Sequence, residues 1–288
     1  MYVVVGATGH TGSVVAQTLL GQNQPVRVVV RSADKGAQWR AKGAEVAVAT
    51  YDDREAFARA LQGARGVYLL IAPNYGAQPW LDAQRRSMDE VASVVRTGGN
   101  PHVVFLSSIG AHLPGRTGPI RAVRHGEEVL SAATSTFTGL RPAYFVENWG
   151  PVLGVAKTQG VLPTFIAPDM KIPMISTRDI GRIAAERLMA GGSGRETIEL
   201  SGPEQYSPDD VAGALSVLLE RPVSTQAAPL TSVVTTFKSF GFSDDAARLF
   251  EEMYRAFASG YIGYELPDRI VRGKLPLAEA LKSLLPVT

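Results

Sequence analysis

The first half of the chain alternates short runs of apolar, largely β-branched residues with longer segments in which apolar residues recur every third or fourth position. The short runs have the length of strands buried in a sheet, and the longer segments have the periodicity of helices with one apolar face. Strand and helix repeated in this order predict a parallel sheet with right-handed crossovers. We therefore expect an α/β fold with a doubly wound parallel sheet.

The predicted strands cover residues 2–5, 26–30, 45–49, 66–71, 102–107 and 137–140. The predicted helices in this half cover residues 13–20, 35–41, 54–61, 80–96 and 121–132.

The pattern loosens after Pro142, where prolines interrupt a region of short elements. Further helices are predicted over residues 177–189, 209–219, 244–258 and 277–285. We expect a first domain over residues 1–150 and a smaller α/β lobe, mainly residues 151–288, with residues 173–200 returning to the first domain. A ligand cleft would then lie where the carboxyl ends of the strands face the lobe.

The first strand ends in a glycine-rich turn, GATGHTG, in which Thr8, His10 and Thr11 separate Gly6, Gly9 and Gly12. Glycines allow a tight turn, a close approach of the backbone to phosphate, and close packing of helix on strand. The helix that follows presents free N–H groups and a positive dipole to an anion. A strand–turn–helix unit of this kind predicts that Gly6, Gly9 and Gly12, with Thr8, His10 and Thr11, take part in binding a dinucleotide through its pyrophosphate, although the spacing is not the commoner G-x-G-x-x-G.

The end of the second strand indicates which dinucleotide is bound. A site for NAD(H) places an acidic residue there, to bind the ribose hydroxyls. This chain has Arg31 instead, and a guanidinium suits a 2′-phosphate through its charge and paired donors. We therefore predict NADP(H) rather than NAD(H), with an exposed arginine of no special role as the alternative reading of Arg31.

Two further segments follow strands of the predicted sheet. Asp52 could accept a hydrogen bond from the adenine amino group, or it could cap the helix that follows. Ala72 and Pro73 end the fourth strand, where backbone groups would pass the nicotinamide ribose, although Pro73 could simply end the strand.

Several segments together resemble the NmrA-like family of atypical short-chain dehydrogenases/reductases. They are GATGHTG with Arg31, VVFLSSIGA at 103–111, HGEE at 125–128, LRPAYFVEN at 140–148, residues 171–188 and residues 199–215. The resemblance implies a Rossmann domain with a small substrate lobe and a preference for NADP(H). Its members include reductases of quinones, dyes or phenylpropanoids, and regulators that bind the dinucleotide without evident turnover.

The usual catalytic pair of this superfamily, Tyr-x-x-x-Lys, is absent. No tyrosine has a lysine four positions later, and no lysine occurs between Lys42 and Lys157. His125 is the residue near the expected position that could exchange a proton at neutral pH. Ser107 could contact substrate or ribose, or it could close a turn at its strand end. His125 and Ser107 are therefore the predicted catalytic residues.

Hydride transfer to a quinone or a cationic dye needs little acid assistance, because the acceptor is strongly electrophilic and the product, an anion in the case of the quinone, is stabilised. Placing the nicotinamide and the acceptor face to face could supply most of the acceleration. Tyr144, Phe145 and Asn148 could line the acceptor site as an aromatic wall with one orienting amide, and packing in the core is their alternative role.

The overall composition adds mainly exclusions. A formal net charge of +2 is too small to indicate direct binding to nucleic acid or to an anionic membrane. The chain has no cysteine, and its four histidines lack the spacing of paired metal ligands, so no metal is expected. No signal peptide is apparent and no apolar run approaches the roughly 20 residues of a membrane span. We expect a cytoplasmic protein.

Two functional hypotheses follow. The first is an NADPH-dependent oxidoreductase that transfers a hydride to a small quinone-like or aromatic acceptor. The second is a non-catalytic NADP(H) sensor that acts through a regulatory protein partner, which the missing Tyr-x-x-x-Lys pair favours. The sequence also leaves open a homodimer.

Overall fold

The computed structural model describes residues 1–285 and contains a central sheet of eight strands in the order β13-β10-β6-β5-β4-β1-β2-β3. Every neighbouring pair in this sheet is parallel. From β1 the chain builds the sheet outward through β2 and β3, and then returns to build it in the opposite direction from β4. The predicted α/β fold, with a doubly wound parallel sheet, is confirmed. The reversal between β1 and β4 creates the crevice at which such sheets bind ligands.

The strands of the central sheet are β1 Tyr2–Val5, β2 Val26–Val30, β3 Glu45–Val48, β4 Gly66–Leu70, β5 His102–Leu106, β6 Phe137–Pro142, β10 Arg195–Ser201 and β13 Val271–Arg272. The strands outside it are β7 Tyr144–Phe145, β8 Val161–Thr164, β9 Ile172–Ile175, β11 Gln205–Tyr206 and β12 Ser224–Ala227.

The helices are α1 His10–Gly21, α2 Ala37–Ala41, α3 Arg54–Leu61, α4 Trp80–Thr97, α5 Ile120–Ala133, α6 Leu153–Gln159, α7 Thr177–Ala190, α8 Pro208–Leu218, α9 Val233–Ser239, α10 Asp244–Ala258 and α11 Leu277–Lys282. Short 3-10 turns occur at Asp34–Gly36, Val146–Val152, Leu230–Ser232 and Pro267–Arg269.

Each face of the central sheet carries its own apolar core. On one face, α1 and α7 pack against the strands, with Val15, Leu19 and Ile180 fully buried. On the other face, α3, α4 and α5 cover the strands through residues such as Phe57 and Leu130. Strands buried on both faces explain the continuous apolar runs in the sequence.

The smaller lobe has two minor sheets, β11-β9-β7 and β12-β8. Its apolar core joins residues of α6, α8 and α11 with the short strands, and it includes Trp149, Leu162 and Met174. The sequence pattern missed most of these elements, because strands of two to four residues carry too few positions to show a period.

Predicted and observed element boundaries differ by small amounts in the first half. Strand β5 ends at Leu106 rather than at Ser107, and β4 ends at Leu70 rather than at Ile71. Helix α1 begins at His10, inside the glycine-rich turn, rather than at Ser13. The earlier start matters, because it brings the free amides of the helix to the glycines themselves.

Two buried carboxylates attach the segment after α10 to the central sheet. Glu199 of β10 accepts hydrogen bonds from the backbone N–H groups of Glu265 and Leu266, each at 2.8 Å. Asp179 of α7 accepts from the N–H groups of Lys274 and Leu275, also at 2.8 Å. Because paired N–H donors satisfy a buried carboxylate, these contacts hold the segment that leads into β13.

Candidate functional site

The glycine-rich turn connects β1 to α1 through close backbone contacts. Gly6 has a φ of +71°, which side chains rarely adopt, and its carbonyl oxygen accepts a hydrogen bond of 2.9 Å from the Gly9 N–H. A Cβ atom at Gly12 would lie 2.3 Å from the same carbonyl oxygen. The first glycine therefore makes the turn, and the third allows α1 to pack directly on it.

The N-terminus of α1 is open to solvent and carries no competing side chain. Its N-cap residue, Gly9, makes no side-chain capping bond, and the first turn has no acidic residue. Thr8, Gly9 and His10 are exposed. The N–H groups of this first turn are therefore available to an external anion.

Thr11 lies in the same turn but points inward. Its hydroxyl oxygen accepts a hydrogen bond of 2.9 Å from the phenol of Tyr68, and both residues are buried. Burial raises the pKa of Tyr68 above its ordinary value, so the phenol stays protonated and keeps donating. The Thr11 hydroxyl oxygen is therefore engaged inside the protein.

Arg31 directly follows β2, beside the glycine-rich turn. The register of β1 and β2 pairs Val5 with Val29, so the residues after these two strands are neighbours. The Arg31 side chain is exposed and makes no hydrogen bond or ion pair within residues 1–285. The acidic residue nearest along the chain, Asp34, receives a hydrogen bond from the Ser32 side chain that lowers its pKa. A cation with no protein partner is thus next to the anion site.

The two adjacent aspartates after β3 have different roles in the structure. Asp53 is the N-cap of α3, and its carboxylate accepts a hydrogen bond of 2.9 Å from the Ala56 N–H. The alternative prediction that Asp52 caps this helix is wrong, because Asp53 occupies that position. Asp52 is exposed at the carboxyl edge of the sheet.

The residues after β4 and β5 lie at the same edge. Ala72 and Pro73 are exposed. Ser107 is 4% exposed, and its backbone N–H donates to the Leu140 carbonyl oxygen of β6 at 2.7 Å. Its hydroxyl has no hydrogen-bond partner within residues 1–285. Because a buried hydroxyl is normally satisfied, this group is a candidate ligand contact, and it does not close a turn.

His125 lies elsewhere, in the helical layer. Its Nε2 is 2.8 Å from the Asp89 carboxylate of α4, in the contact between α4 and α5. Glu127, on the same helix as His125, is also paired. Its carboxylate accepts two buried hydrogen bonds from the Arg141 guanidinium, at 2.6 and 2.8 Å. The structure thus pairs His125 with an exposed acid and does not join it to Ser107 by a contact; the catalytic role of His125 stays a prediction.

Tyr144 and Phe145 form β7, which pairs with Met174 and Ile175 of β9. The Tyr144 phenol lies near the phenol of Tyr254 on α10, close enough for each to affect the pKa of the other. Phe145 packs against the apolar core that lies between the central sheet and helices α1 and α7. Asn148 is exposed, while the preceding residue, Glu147, is buried and accepts from the Thr177 N–H at the start of α7.

Sequence reasoning missed the aromatic residues that α10 brings to Tyr144. On α10, Phe250, Tyr254 and Phe257 follow a helical spacing of four and three residues, which places them on one face. That spacing was a usable signal, but it does not say which element the face contacts.

Two surface cavities lie away from the carboxyl edge of the sheet. One, of about 240 Å³, lies beside Phe137 and Arg195, where β6 and β10 begin. The other, of about 480 Å³, lies beside Tyr206 and Leu277 in the smaller lobe. Within residues 1–285, no group of three acidic or histidine side chains is placed to hold a metal ion. In the same part of the chain, no helix combines the length and apolarity that crossing a bilayer requires.

The family model described as NmrA-like family matches residues 2–271. The chain belongs to the NmrA-like family. The resemblance that the sequence motifs predicted is therefore confirmed, over nearly the whole length.

Among the curated relatives of this NmrA-like chain, two are named as reductases and one as an oxidoreductase. NAD(P)H azoreductase of Xenophilus azovorans is 25% identical, over 91% of this chain and 89% of the relative. A (4-alkanoyl-5-oxo-2,5-dihydrofuran-3-yl)methyl phosphate reductase of Streptomyces griseus is 30% identical, over 77% and 75%. Quinone oxidoreductase 2 of Escherichia coli is 26% identical, over 86% and 84%.

Solved structures agree with the fold. Triphenylmethane reductase of a Citrobacter species, determined with NADP(H), superposes with a TM-score of 0.82 at 20% identity. The match covers 99% of this chain and 100% of that protein. At this identity the likeness supports the NmrA-like architecture, namely a Rossmann sheet with a small second lobe.

Proposed function

We propose that this protein is an NADPH-dependent reductase that transfers a hydride to a quinone or to an azo or arylmethane dye. The observation that carries the proposal is the uncapped N-terminus of α1 at the strand reversal, with the unpaired Arg31 beside it. The relatives that reduce azo compounds and quinones support the same class of acceptor.

The residues present fit the dinucleotide. Gly6, Gly9 and Gly12, with the backbone of Thr8, His10 and Thr11, hold the pyrophosphate, because a side chain at Gly12 would fill the space that the turn needs. Arg31 binds the 2′-phosphate through charge-assisted hydrogen bonds. Asp52 accepts from the adenine amino group.

Ala72, Pro73 and Ser107 border the nicotinamide end. The hydroxyl of Ser107, which lacks a protein partner, donates to the ribose or to the acceptor and so fixes its orientation. Bound NADPH supplies the hydride. The chain contributes position and the exclusion of water, and it needs no strong acid, because a quinone delocalises the charge of its product anion and a cationic dye becomes neutral when it accepts hydride.

Tyr144, Phe145 and Asn148 belong to the acceptor side. Tyr144 has an aromatic environment and Asn148 is exposed, whereas Phe145 supports them from the core. A cytoplasmic location stays a prediction, as does a homodimer or a regulatory partner.

The proposal is tested by mixing purified protein with NADPH and a panel that contains menadione, methyl red and malachite green. Oxidation of NADPH, followed by its absorbance, is the expected result, and heat-denatured protein is the control. Tight binding of NADPH without oxidation across the panel would contradict the enzyme and favour the sensor, which the absent Tyr-x-x-x-Lys pair supports.

The role of His125 is tested by comparing His125→Ala with Asp89→Ala. If His125 exchanges a proton with the acceptor, the first variant is slower than the second at each pH. Equal and small changes in both variants would assign His125 to the contact between α4 and α5.

A further inference from the structure

Six aromatic side chains form a continuous chain of ring contacts, and Tyr144 lies near one of them, Tyr254. These seven side chains are here called the aromatic face. Its members are Tyr75, Tyr144, Phe165, Phe237, Phe242, Phe250 and Tyr254. They come from the loop after β4, from β7, from the loop after β8, and from α9 and α10 with their connection. The face therefore joins both lobes.

The ring contacts run from one end of the face to the other. Tyr75 stacks on Phe242 with centroids 4.2 Å apart, and Phe242 meets Phe250 edge to face at 5.3 Å. Phe250 stacks on Phe237 at 4.6 Å. Phe237 and Phe165 in turn contact Tyr254, at 6.1 and 5.3 Å. Offset and edge-to-face contacts of this kind fix the orientation of each ring.

None of the seven side chains is fully buried; each keeps part of its surface exposed. Comparable aromatic residues in the core, such as Phe57 and Phe105, are buried almost completely. A contiguous set of partly exposed rings is typical of a ligand site, which offers apolar surface to a planar group.

The two ends of the aromatic face lie next to the carboxyl edge of the central sheet, where we propose that the cofactor binds. Tyr75 is two residues beyond Pro73 in the stretch that leaves β4, and its carbonyl oxygen accepts from the Ser243 N–H at 2.8 Å. Tyr144 lies two residues after the end of β6. Because β5 lies between β4 and β6, the ends of the face flank the strand that Ser107 follows.

The Tyr144–Tyr254 end is the polar part of the face. Burial raises the pKa of Tyr254 to about 12 and that of Tyr144 well above its ordinary value, so both phenols stay protonated at neutral pH. Each phenol has one O–H donor. Within residues 1–285, the tyrosine hydroxyls that make hydrogen bonds are those of Tyr51, Tyr68 and Tyr264, so the hydroxyls of Tyr144 and Tyr254 make none. Their O–H donors are therefore left for a ligand.

We infer that the aromatic face binds the hydride acceptor by stacking and that the Tyr144–Tyr254 pair donates a hydrogen bond to its carbonyl oxygen or azo nitrogen. This inference rests on the proposed function and specifies its acceptor as a planar aromatic molecule with a hydrogen-bond acceptor at its edge. The pair is a specificity determinant, because an acceptor without that polar atom leaves the phenolic O–H groups of Tyr144 and Tyr254 without a partner.

The test measures binding without turnover. Protein saturated with NADP⁺ is dialysed to equilibrium against menadione, which has two carbonyl oxygens, or against 2-methylnaphthalene, which has the same ring system without them. Tyr254→Phe keeps the ring and removes the hydroxyl. We expect it to weaken menadione binding about tenfold and to leave 2-methylnaphthalene within about twofold.

Phe237→Leu tests the stacking part, and we expect it to weaken both probes by a similar factor. Tyr261→Phe, at an exposed tyrosine outside the aromatic face, is the matched control and should change neither affinity. Thermal unfolding of each variant verifies that it is folded; if Phe237→Leu does not fold, Tyr254→Phe decides by itself.

Equal losses for both probes in Tyr254→Phe would overturn the hydrogen-bond part, and unchanged affinities in both variants would overturn the acceptor site. A wild-type protein that binds NADPH and neither probe would also overturn this inference while leaving the cofactor site intact. A protein that binds no NADPH would instead overturn the proposed function, and this inference with it.

Discussion

A Cβ atom on Gly12 would lie 2.3 Å from the carbonyl oxygen of Gly6, so α1 and the end of β1 touch through their backbones. Gly12→Ala should therefore force the helix away from the turn, lower the free energy of unfolding by about 1–3 kcal/mol, and weaken NADPH binding. Urea denaturation and calorimetric titration measure the two effects.

Gly21 is the matched control, because it ends the same helix and a Cβ there meets no atom within 4 Å. Gly21→Ala should leave NADPH affinity unchanged. Equal affinities in Gly12→Ala and the wild type would contradict the close-packing role of Gly12.

Arg31 is exposed beside the glycine-rich turn and has no partner within residues 1–285. Arg31→Asp should weaken NADPH at least about tenfold more than NADH, because only NADPH presents a 2′-phosphate to the reversed charge. Arg40→Asp, at an exposed arginine of α2, controls for net charge. An equal loss for both coenzymes would refute the 2′-phosphate contact.

Asp52 and Asp53 are adjacent and should have separable effects. Asp53→Ala removes the N-cap of α3 and should lower the free energy of unfolding by about 1 kcal/mol. Asp52→Ala should leave stability unchanged and weaken NADPH several-fold through the lost contact with adenine. Chemical denaturation and coenzyme titration of both variants check this; if Asp52→Ala alone is destabilised, the assignment is wrong.

The surroundings of His102 lead us to expect that the protein loses stability in acid. The Thr138 hydroxyl donates its hydrogen to Glu196, so the 2.9 Å hydrogen bond between Thr138 and His102 must be donated by the His102 Nε2–H. The Nδ1 of His102 is buried and has no hydrogen-bond partner within residues 1–285. Burial lowers the pKa of His102 from 6.5, and the charge of Glu196 opposes this shift.

The folded state therefore binds this proton less readily than the unfolded state. Its contribution to stability is complete above pH 6.5 and is lost as the pH falls through the lower pKa of the folded protein. In urea denaturation over this pH range, His102→Gln should show a shallower loss of stability than the wild type. Parallel curves for the two proteins would remove His102 as the cause.

Much of the first domain was predictable, because its signals are local. The strand that ends in Gly6, the helix that follows Gly12 and the cation after β2 are all expressed in consecutive residues, and the family assignment follows from several such segments. The distinction between Asp52 and Asp53 was not predictable, since both are good capping residues and the choice depends on the turn that precedes α3.

The candidate acceptor site was predicted only in part. Tyr144 was selected from the sequence, but its partner Tyr254 was not, and the aromatic spacing of α10 did not indicate what it contacts. The contact between His125 and Asp89 was likewise hidden, because it depends on how α4 and α5 lie against the same face of the sheet.

The sequence by itself determined the alternation of strands and helices, the phosphate-binding turn and the cation beside it, because each depends on residues within one or two turns of chain. Only the tertiary structure decided that rings from α10 and its connection to α9 meet the loop after β4 and β7, and that the hydroxyls of Tyr144 and Tyr254 make no hydrogen bond within residues 1–285. Helical periodicity specifies which side chains share a face. The packing of whole elements decides what that face contacts, and the direction and distance of that packing are not properties of any local segment.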